Sequence, residues 1–253
     1  MIYVKSPREI ELMRQVCVLA AAARKLALDM AEPGVRTIEI DKAVHEFLTK
    51  SGAAPSFLNY NGYPASTCIS LNEEVIHGIP GRKKIRRGDL VSIDIGAYIG
   101  GFHGDCAASI VIGEGEEAAR LVKVTQQSFF EGVKYARAGQ RVSDISHAIQ
   151  TYCEKHGYGV VRDYVGHGVG ASLHEEPPIP NYGSPGRGSR LQAGMTLAIE
   201  PMINAGLPDI KVLRDKWTVV TKDGSLSAHY ENTVLVTDGE PEILTLPGGM
   251  QSW

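Results

Sequence analysis

The chain has little cysteine, no marked excess of either charge and no long uncharged apolar run, and each shortage removes a class of protein. Its 253 residues include 4 cysteines, Cys17, Cys68, Cys106 and Cys153. They are far apart and form no C-x-x-C pair, which argues against a zinc ribbon or a disulfide framework and for reduced, mostly buried thiols. Lys plus Arg number 26 against 29 Asp plus Glu, a net charge of −3, so no global basic field draws the chain to nucleic acid or to an anionic membrane. The longest stretch without a charged side chain, 51–72, is broken by Gly52, Pro55, Gly62 and Pro64 and does not read as a membrane span. The opening Met1-Ile2-Tyr3-Val4-Lys5 lacks the basic and apolar regions of a signal peptide, so a cytoplasmic location is expected. With 43% hydrophobic and 22% charged residues, the composition is that of an ordinary globular fold, long enough for one large α/β or α+β domain or two fused halves.

What is present is repetition. Ser6-Pro7-Arg8-Glu9 offers an N-cap, a proline suited to the first helical position and a glutamate that closes a capping box, predicting a helix that runs to about Met30 and stops at Pro33-Gly34. Ala43-Val44 and Phe47-Leu48 predict a second helix ending near Lys50-Ser51-Gly52. A shift of 105 residues carries Gly34, Arg36, Ile40, Ala43, Lys50 and Gly52 onto Gly139, Arg141, Ile145, Ala148, Lys155 and Gly157. Another amphipathic helix, near Glu116 to Tyr135, precedes this second copy. The strand pattern 88–94, ending in Asp94, recurs 106 residues later in 194–200, ending in Glu200, and 103–113 matches 229–239 with Asp105 opposite Glu231. Matches in several consecutive elements point to a duplicated unit: one domain, 1–253, with halves of roughly 1–113 and 114–253.

If two such halves pack about a pseudo-twofold axis, equivalent residues meet near it, and four carboxylates converge. Four bare carboxylates cannot stay ionised together in a buried place unless cations compensate them. In Leu90-Val91-Ser92-Ile93-Asp94-Ile95-Gly96 the period of two puts Val91, Ile93 and Ile95 on one face and Asp94 on the other. Gly96, Gly100 and Gly101 permit a turn, after which Asp105 leads a returning strand. His167, in Val165-Gly166-His167-Gly168-Val169-Gly170, lies between the two acid pairs in sequence, and its flanking glycines allow close approach of backbone or ligand. Carboxylates with one imidazole and no thiolate suit two divalent ions such as manganese, iron, cobalt or zinc, which as a bridged pair would clamp a water and lower its pKa. Read alone, His77 and His174 are satisfied loop histidines, and Tyr60, Tyr63, Cys68 and Trp217 can be loop packing.

These contexts, with Asn59-Tyr60-Asn61-Gly62-Tyr63-Pro64, Cys68-Ile69-Ser70-Leu71-Asn72-Glu73, His77-Gly78-Ile79-Pro80, His174-Glu175-Glu176-Pro177, Ile199-Glu200-Pro201, Trp217-Thr218 and Tyr230-Glu231-Asn232-Thr233, resemble the type I methionine aminopeptidases over nearly the whole chain. The resemblance implies a pita-bread fold: an α/β (α+β) architecture of two pseudo-symmetric halves with a central antiparallel sheet covered by helices. It implies a metal-dependent aminopeptidase that removes the initiator methionine of nascent chains when the second residue is small. On that resemblance Asp94 chelates one metal, His167 binds the other, Asp105 and Glu231 bridge, and Glu200 is both ligand and proton acceptor. His174 would stabilise the oxyanion, His77 would orient the peptide, and Tyr60, Tyr63, Cys68 and Trp217 would form the methionine pocket. A monovalent cation, sodium or potassium, would sit near Asn72 and Ser227.

Four positions depart from the commoner family pattern: Ala171, Leu173, His229 and Asn232. They bear on the pocket wall and on the surroundings of Glu231 rather than on the ligands. Proline-specific aminopeptidases and dipeptidases share the five ligands but usually carry a preceding domain, which this chain has no room for before its first helix. The type II enzymes insert a subdomain between the last two ligands, where only 31 residues separate Glu200 from Glu231. A metal-free binding module of the same fold typically loses ligands, and a dinuclear phosphohydrolase would show an arginine-rich clamp. A monomer is expected, acting on the N-terminal methionine of nascent polypeptides, with no membrane or sequence-specific nucleic-acid partner. The basic run Lys83-Lys84 and Arg86-Arg87 reads as a solvated turn, with transient ribosome docking a conceivable use, and 248–253 as a loose tail.

Overall fold

Local signals set the helices. In the computed structural model, which describes residues 2–246, α1 (Pro7–Asp29) opens with the expected capping box, Glu9 N–H donating to Ser6 Oγ at 3.4 Å and Ser6 N–H donating to the Glu9 carboxylate at 2.8 Å. α2 (Thr37–Lys50) has no capping hydroxyl, and the Glu39 carboxylate instead accepts from Arg36 N–H at 2.8 Å. The second pair, α3 (Glu116–Val133) and α4 (Val142–Lys155), repeats the device, with Asp144 accepting from Arg141 N–H at 2.8 Å. The tail 248–253 lies outside the described residues.

Between the helix pairs run β1 (Ala54–Pro55), β2 (Thr67–Leu71), β3 (Glu74–Ile76), β4 (Leu90–Ile99) and β5 (Phe102–Val111). After α4 come β6 (Gly159–Val160), β7 (Gly166–Gly168), β8 (Glu175–Ile179), β9 (Thr196–Ile199) and β10 (Met202–Asn204). The chain continues through β11 (Ile210–Val212), β12 (Val219–Thr221), β13 (Ser227–His229), β14 (Glu231–Leu235) and β15 (Glu242–Ile243). β4 and β5 form the expected hairpin, turning at Gly100 and Gly101, which both hold positive φ. β5 starts at Phe102, so Asp105 lies inside the strand rather than at its head.

The heart of the large antiparallel sheet runs β2-β4-β5-β14-β9-β7, an order that reads alike from either end in the kind of unit each half supplies. β5 and β14 meet in the middle, antiparallel, through Ala107 opposite Glu231 and Cys106 opposite Asn232. One face of this sheet carries the apolar side chains. Ile93, Ile95 and Cys106 pack with Met13, Val16 and Ala20 of α1, and Leu197, Ile199 and Val234 pack with Phe129 of α3 and Ile149 of α4. Helices therefore cover that face, and the alternate residues of the same strands point to the other. Among the described residues no helix is long and apolar enough to cross a membrane.

Candidate metal centre and substrate pocket

Register alone brings the five candidate ligands to one face. Ala107 on β5 stands directly opposite both Asp94 on β4 and Glu231 on β14, and residues directly opposite share a face. Asp105 is two residues before Ala107, so it joins them. Ala198 on β9 stands opposite both Thr233 on β14 and His167 on β7, Glu231 is two before Thr233, and Glu200 is two after Ala198. Cys68 on β2 is opposite Asp94 and looks the same way.

At the centre, one donor atom each from Asp105, His167 and Glu231 lie within 4.8 Å of one another. His167 Nδ1 lies 2.9 Å from the carbonyl oxygen of Gly168, so Nδ1–H is the donor and Nε2 is left as a lone pair. That lone pair faces Glu200 Oε1 at 3.4 Å. Oδ1 of Asp94 and Oδ1 of Asp105 are buried without a hydrogen-bond partner. With its carboxyls ionised, such a knot of acceptors calls for a cation, and an oxygen-rich set with one imidazole matches divalent metals of the manganese-to-zinc range. The residues present fit such ions.

Burial sets the electrostatics. It lifts Asp94, Glu200 and Glu231 well above the usual carboxylate range, with the neighbouring acid charges adding to it, and it pushes Asp105 up to about 7. Burial also lowers His167 to about 3, with His174 contributing, which keeps the imidazole neutral and able to ligate. The same cause lowers His77 to about 4 and His174 in direction.

The glycines flanking His167 serve the neighbouring strands. A Cβ on Gly166 would come 2.3 Å from the Ala198 oxygen, and one on Gly168 would come 2.5 Å from the Glu176 oxygen. The close backbone approach expected at these glycines is made by β9 and by the β8 backbone.

A cavity of about 310 Å³ opens beside the acids, and the residues expected to touch substrate line it: Tyr60, Tyr63, Cys68, His77, His174 and Trp217, together with the five candidate ligands. Tyr63 and Trp217 meet edge to face with centroids 5.1 Å apart, and His77 sits at 6.2 Å from Trp217 and 5.5 Å from Tyr164. His77 holds φ 58, a left-handed conformation uncommon outside glycine. His174 is exposed on its loop, its ring centroid 4.2 Å from that of His167 and its Nδ1 2.7 Å from Tyr60 Oη. The tyrosine O–H donating there leaves Nε2–H as the free donor of His174.

Phe57 and Tyr164 also line the cavity and escape a reading of the sequence. Their only signals are proximity to the Asn59–Pro64 segment and to the glycine-flanked His167. The four departures resolve differently. Leu173 is a cavity wall, and Ala171 is exposed on the loop before it. His229 approaches Glu200, Nε2 to Oε2 3.6 Å, rather than Glu231. Asn232 turns to the helix side, where Oδ1 accepts from Arg24 of α1 and from Thr245 Oγ1. Asn72 and Ser227 are neighbours, Ser227 N–H donating to the Asn72 carbonyl at 2.9 Å. In the basic run, 82–87, every side chain but Ile85 is exposed, and Lys83 is ion-paired to Glu74.

Residues 11–238 match metallopeptidase family M24. A methionine aminopeptidase of Clostridium acetobutylicum is 53% identical over 248 residues, covering 97% of this chain and 99% of that protein. The crystal structure of a methionine aminopeptidase from Thermotoga maritima superposes with a TM-score of 0.95 at 45% identity, covering 97% of this chain and 99% of that one. The prolidase from Pyrococcus furiosus is more distant, with a TM-score of 0.79 at 26% identity, and this chain covers 65% of it.

Proposed function

Because the chain belongs to metallopeptidase family M24, and within it to the methionine aminopeptidases with their pita-bread fold, we propose that it hydrolytically removes the initiator methionine of new polypeptides whose second residue is small. The observation that carries this reading is the joining of two chemistries in one cavity: a cluster of acceptors that needs cations, and beside it an aromatic wall with Cys68 and Leu173. Soft, polarizable contacts suit a thioether. A cavity at the small end of ligand sites takes one long side chain and little beyond it.

Asp94, Asp105, His167, Glu200 and Glu231 would hold two divalent ions, of which manganese, iron, cobalt and zinc all suit the donor set. When bound, such ions would supply Lewis acidity toward the peptide carbonyl and lower the pKa of the attacking water. Glu200, facing His167 and His229, takes the proton of the attacking water and hands it to the departing amine. His174, with Nδ1 engaged by Tyr60, directs its Nε2–H at the carbonyl oxygen as negative charge develops there. His77, fixed between Tyr164 and Trp217, orients the peptide backbone. Tyr60, Tyr63, Cys68 and Trp217 enclose the methionine side chain.

The same reading assigns a sodium or potassium ion to the carbonyls around Asn72 and Ser227, transient ribosome contact to the exposed basic run, and a monomer at work in the cytoplasm. It treats 1–113 and 114–253 as copies of one unit within a single domain. The test is release of methionine from Met-Ala-Ser and of the first residue from Xaa-Pro peptides by metal-stripped protein, with each metal added in turn and Glu200→Ala as control. Metal-dependent methionine release that the variant lacks is the expected result. Cleavage only before proline would overturn the substrate assignment, and no cleavage with any metal would overturn the activity.

A further inference from the structure

The segment before α1 does something that its surroundings do not explain. Tyr3 and Val4 are 56% and 49% exposed, yet the next side chain, Lys5, turns inward. Its Nζ meets Glu175 Oε2 at 2.6 Å, each side chain only 4% exposed. The two residues are 170 positions apart, so this contact ties the N-terminal segment to the loop that carries His174.

The backbone is shaped to admit the pair. A Cβ on Gly170 would come 2.6 Å from both Glu175 Oε1 and Lys5 Cε, and a Cβ on Gly194 would come 2.9 Å from the Lys5 carbonyl oxygen. Lys5 N–H donates to the Gly194 carbonyl at 2.8 Å, and Ile2 bridges to Glu176. The other Glu175 oxygen accepts Ser172 N–H at 3.1 Å, which closes a turn around Leu173 and His174. Glycine at 170 also donates its N–H to the Ser172 carbonyl. The turn is therefore fastened through Lys5 and Glu175 as well as through the contacts of Tyr60 to His174.

A buried lysine–glutamate pair is a poor device for stability, because desolvation offsets most of the attraction and an apolar pair of the same shape often does as well. What such a pair does well is fix a position. We infer that Lys5 is a positioning residue for the reaction: its ion pair with Glu175 holds the 170–175 turn so that the His174 ring stays against His167 and Tyr60, facing the cavity. The inference rests on the proposed role of His174 in methionine release. A group that acts on the transition state loses rate steeply when displaced by an ångström, while ground-state binding, made by the pocket wall, changes little.

The test compares the parent with Lys5→Met and with the double variant Lys5→Met/Glu175→Gln, which removes both charges at once and so leaves no unpaired carboxylate buried. Two readouts are taken: steady-state kinetics on Met-Ala-Ser with manganese, and the NMR ring signals of His174 in the metal-free protein. The double variant is expected to melt close to the parent, to keep KM within about twofold, and to lose about tenfold or more in kcat. Its His174 signals should move toward those of a freely solvated histidine. A double variant that folds, keeps the parent kcat and leaves the His174 signals in place overturns the inference. If the parent itself releases no methionine, the functional reading fails, and the ring signals alone then decide the positioning role.

Discussion

Replacing Asp105 by asparagine is expected to make the metal-free protein more stable while destroying its site, by an amount that grows with pH. Asp105 is 3% exposed, and burial lifts its carboxyl from 3.8 to about 7. A carboxyl with a raised folded pKa holds its proton more tightly in the native chain than in the unfolded one. Its effect on stability is therefore most favourable below the unfolded value and is lost as pH rises through the folded value. At about 1.4 kcal/mol per pH unit, ionisation costs the parent roughly 1–2 kcal/mol near pH ~5 and roughly 4 kcal/mol near pH ~8. Asparagine fills the same space without charge and escapes this loss. The advantage of the variant thus widens by about 3 kcal/mol over that range, or roughly 5–10 °C in melting temperature for a chain of this size. The buried imidazoles of His167, His229 and His77, held down at about 3, 3 and 4, impose the opposite slope, but they do so on both proteins and cancel in the difference. Melting followed by calorimetry on chelator-dialysed parent and variant, in steps of pH, measures it. A gap between the two that does not change with pH would refute the reasoning. Divalent metal should narrow the gap at every pH and reverse the order near pH ~5, since at a hundred times its Kd it adds about 2.7 kcal/mol to the parent and little to a variant that has lost a carboxylate from the cluster.

Leu173→Ala removes a wall of the cavity that is 2% exposed; KM for methionyl peptides should rise several-fold while kcat falls less, and peptides beginning with a bulkier side chain should become substrates, all readable in steady-state assays. Gly168→Ala would drive a methyl to 2.5 Å from the Glu176 oxygen, parting β7 from β8, so calorimetry should show melting lowered by roughly 10 °C or more and metal titration should show weakened binding. Phe129→Ala empties a fully buried place in the α3 core, 0% exposed. It should cost about 3–5 kcal/mol in denaturant unfolding and leave KM unchanged, which separates loss of fold from loss of site.

Elements with strong local chemistry are legible in the amino-acid sequence. The Ser6-Pro7-Glu9 signature sets the start of α1, the paired glycines set the β4–β5 turn, and the repeat of helix and strand patterns puts four acids into equivalent positions. What is illegible has no local signal. Strands such as β6, β7 and β10 are two or three residues long, too short for a period of two to show. Phe57 and Tyr164 are single rings whose role depends on where distant loops fold back. The glycines beside His167 look the same whether a ligand or a strand lies against them, and only the β8 and β9 backbones decide. The Lys5–Glu175 pair spans 170 residues, and nothing in either neighbourhood announces the other.

The offset of 106 residues that carries Asp94 onto Glu200 also carries Ser92 onto Ala198. Ala198 stands opposite His167 on β7, and Ser92 stands opposite Ser70 on β2. At matching places in the sheet, one half therefore sets an imidazole among the acids, and the other sets a hydroxyl. That hydroxyl accepts Gly78 N–H at 3.1 Å, directly after His77, and a Cβ on Gly78 would come 2.3 Å from the Ile69 oxygen, so β2 grips the chain where His77 takes its left-handed turn. The acids are shared evenly between the halves and have no direction of their own. A peptide does: its amino end, its first side chain and its scissile bond each need a different neighbour. Direction has to come from the places where the two halves stop matching, and the exchange of His167 for Ser70 is such a place, giving one half an imidazole among the acids and the other a histidine fixed beside Trp217 at the wall of the pocket.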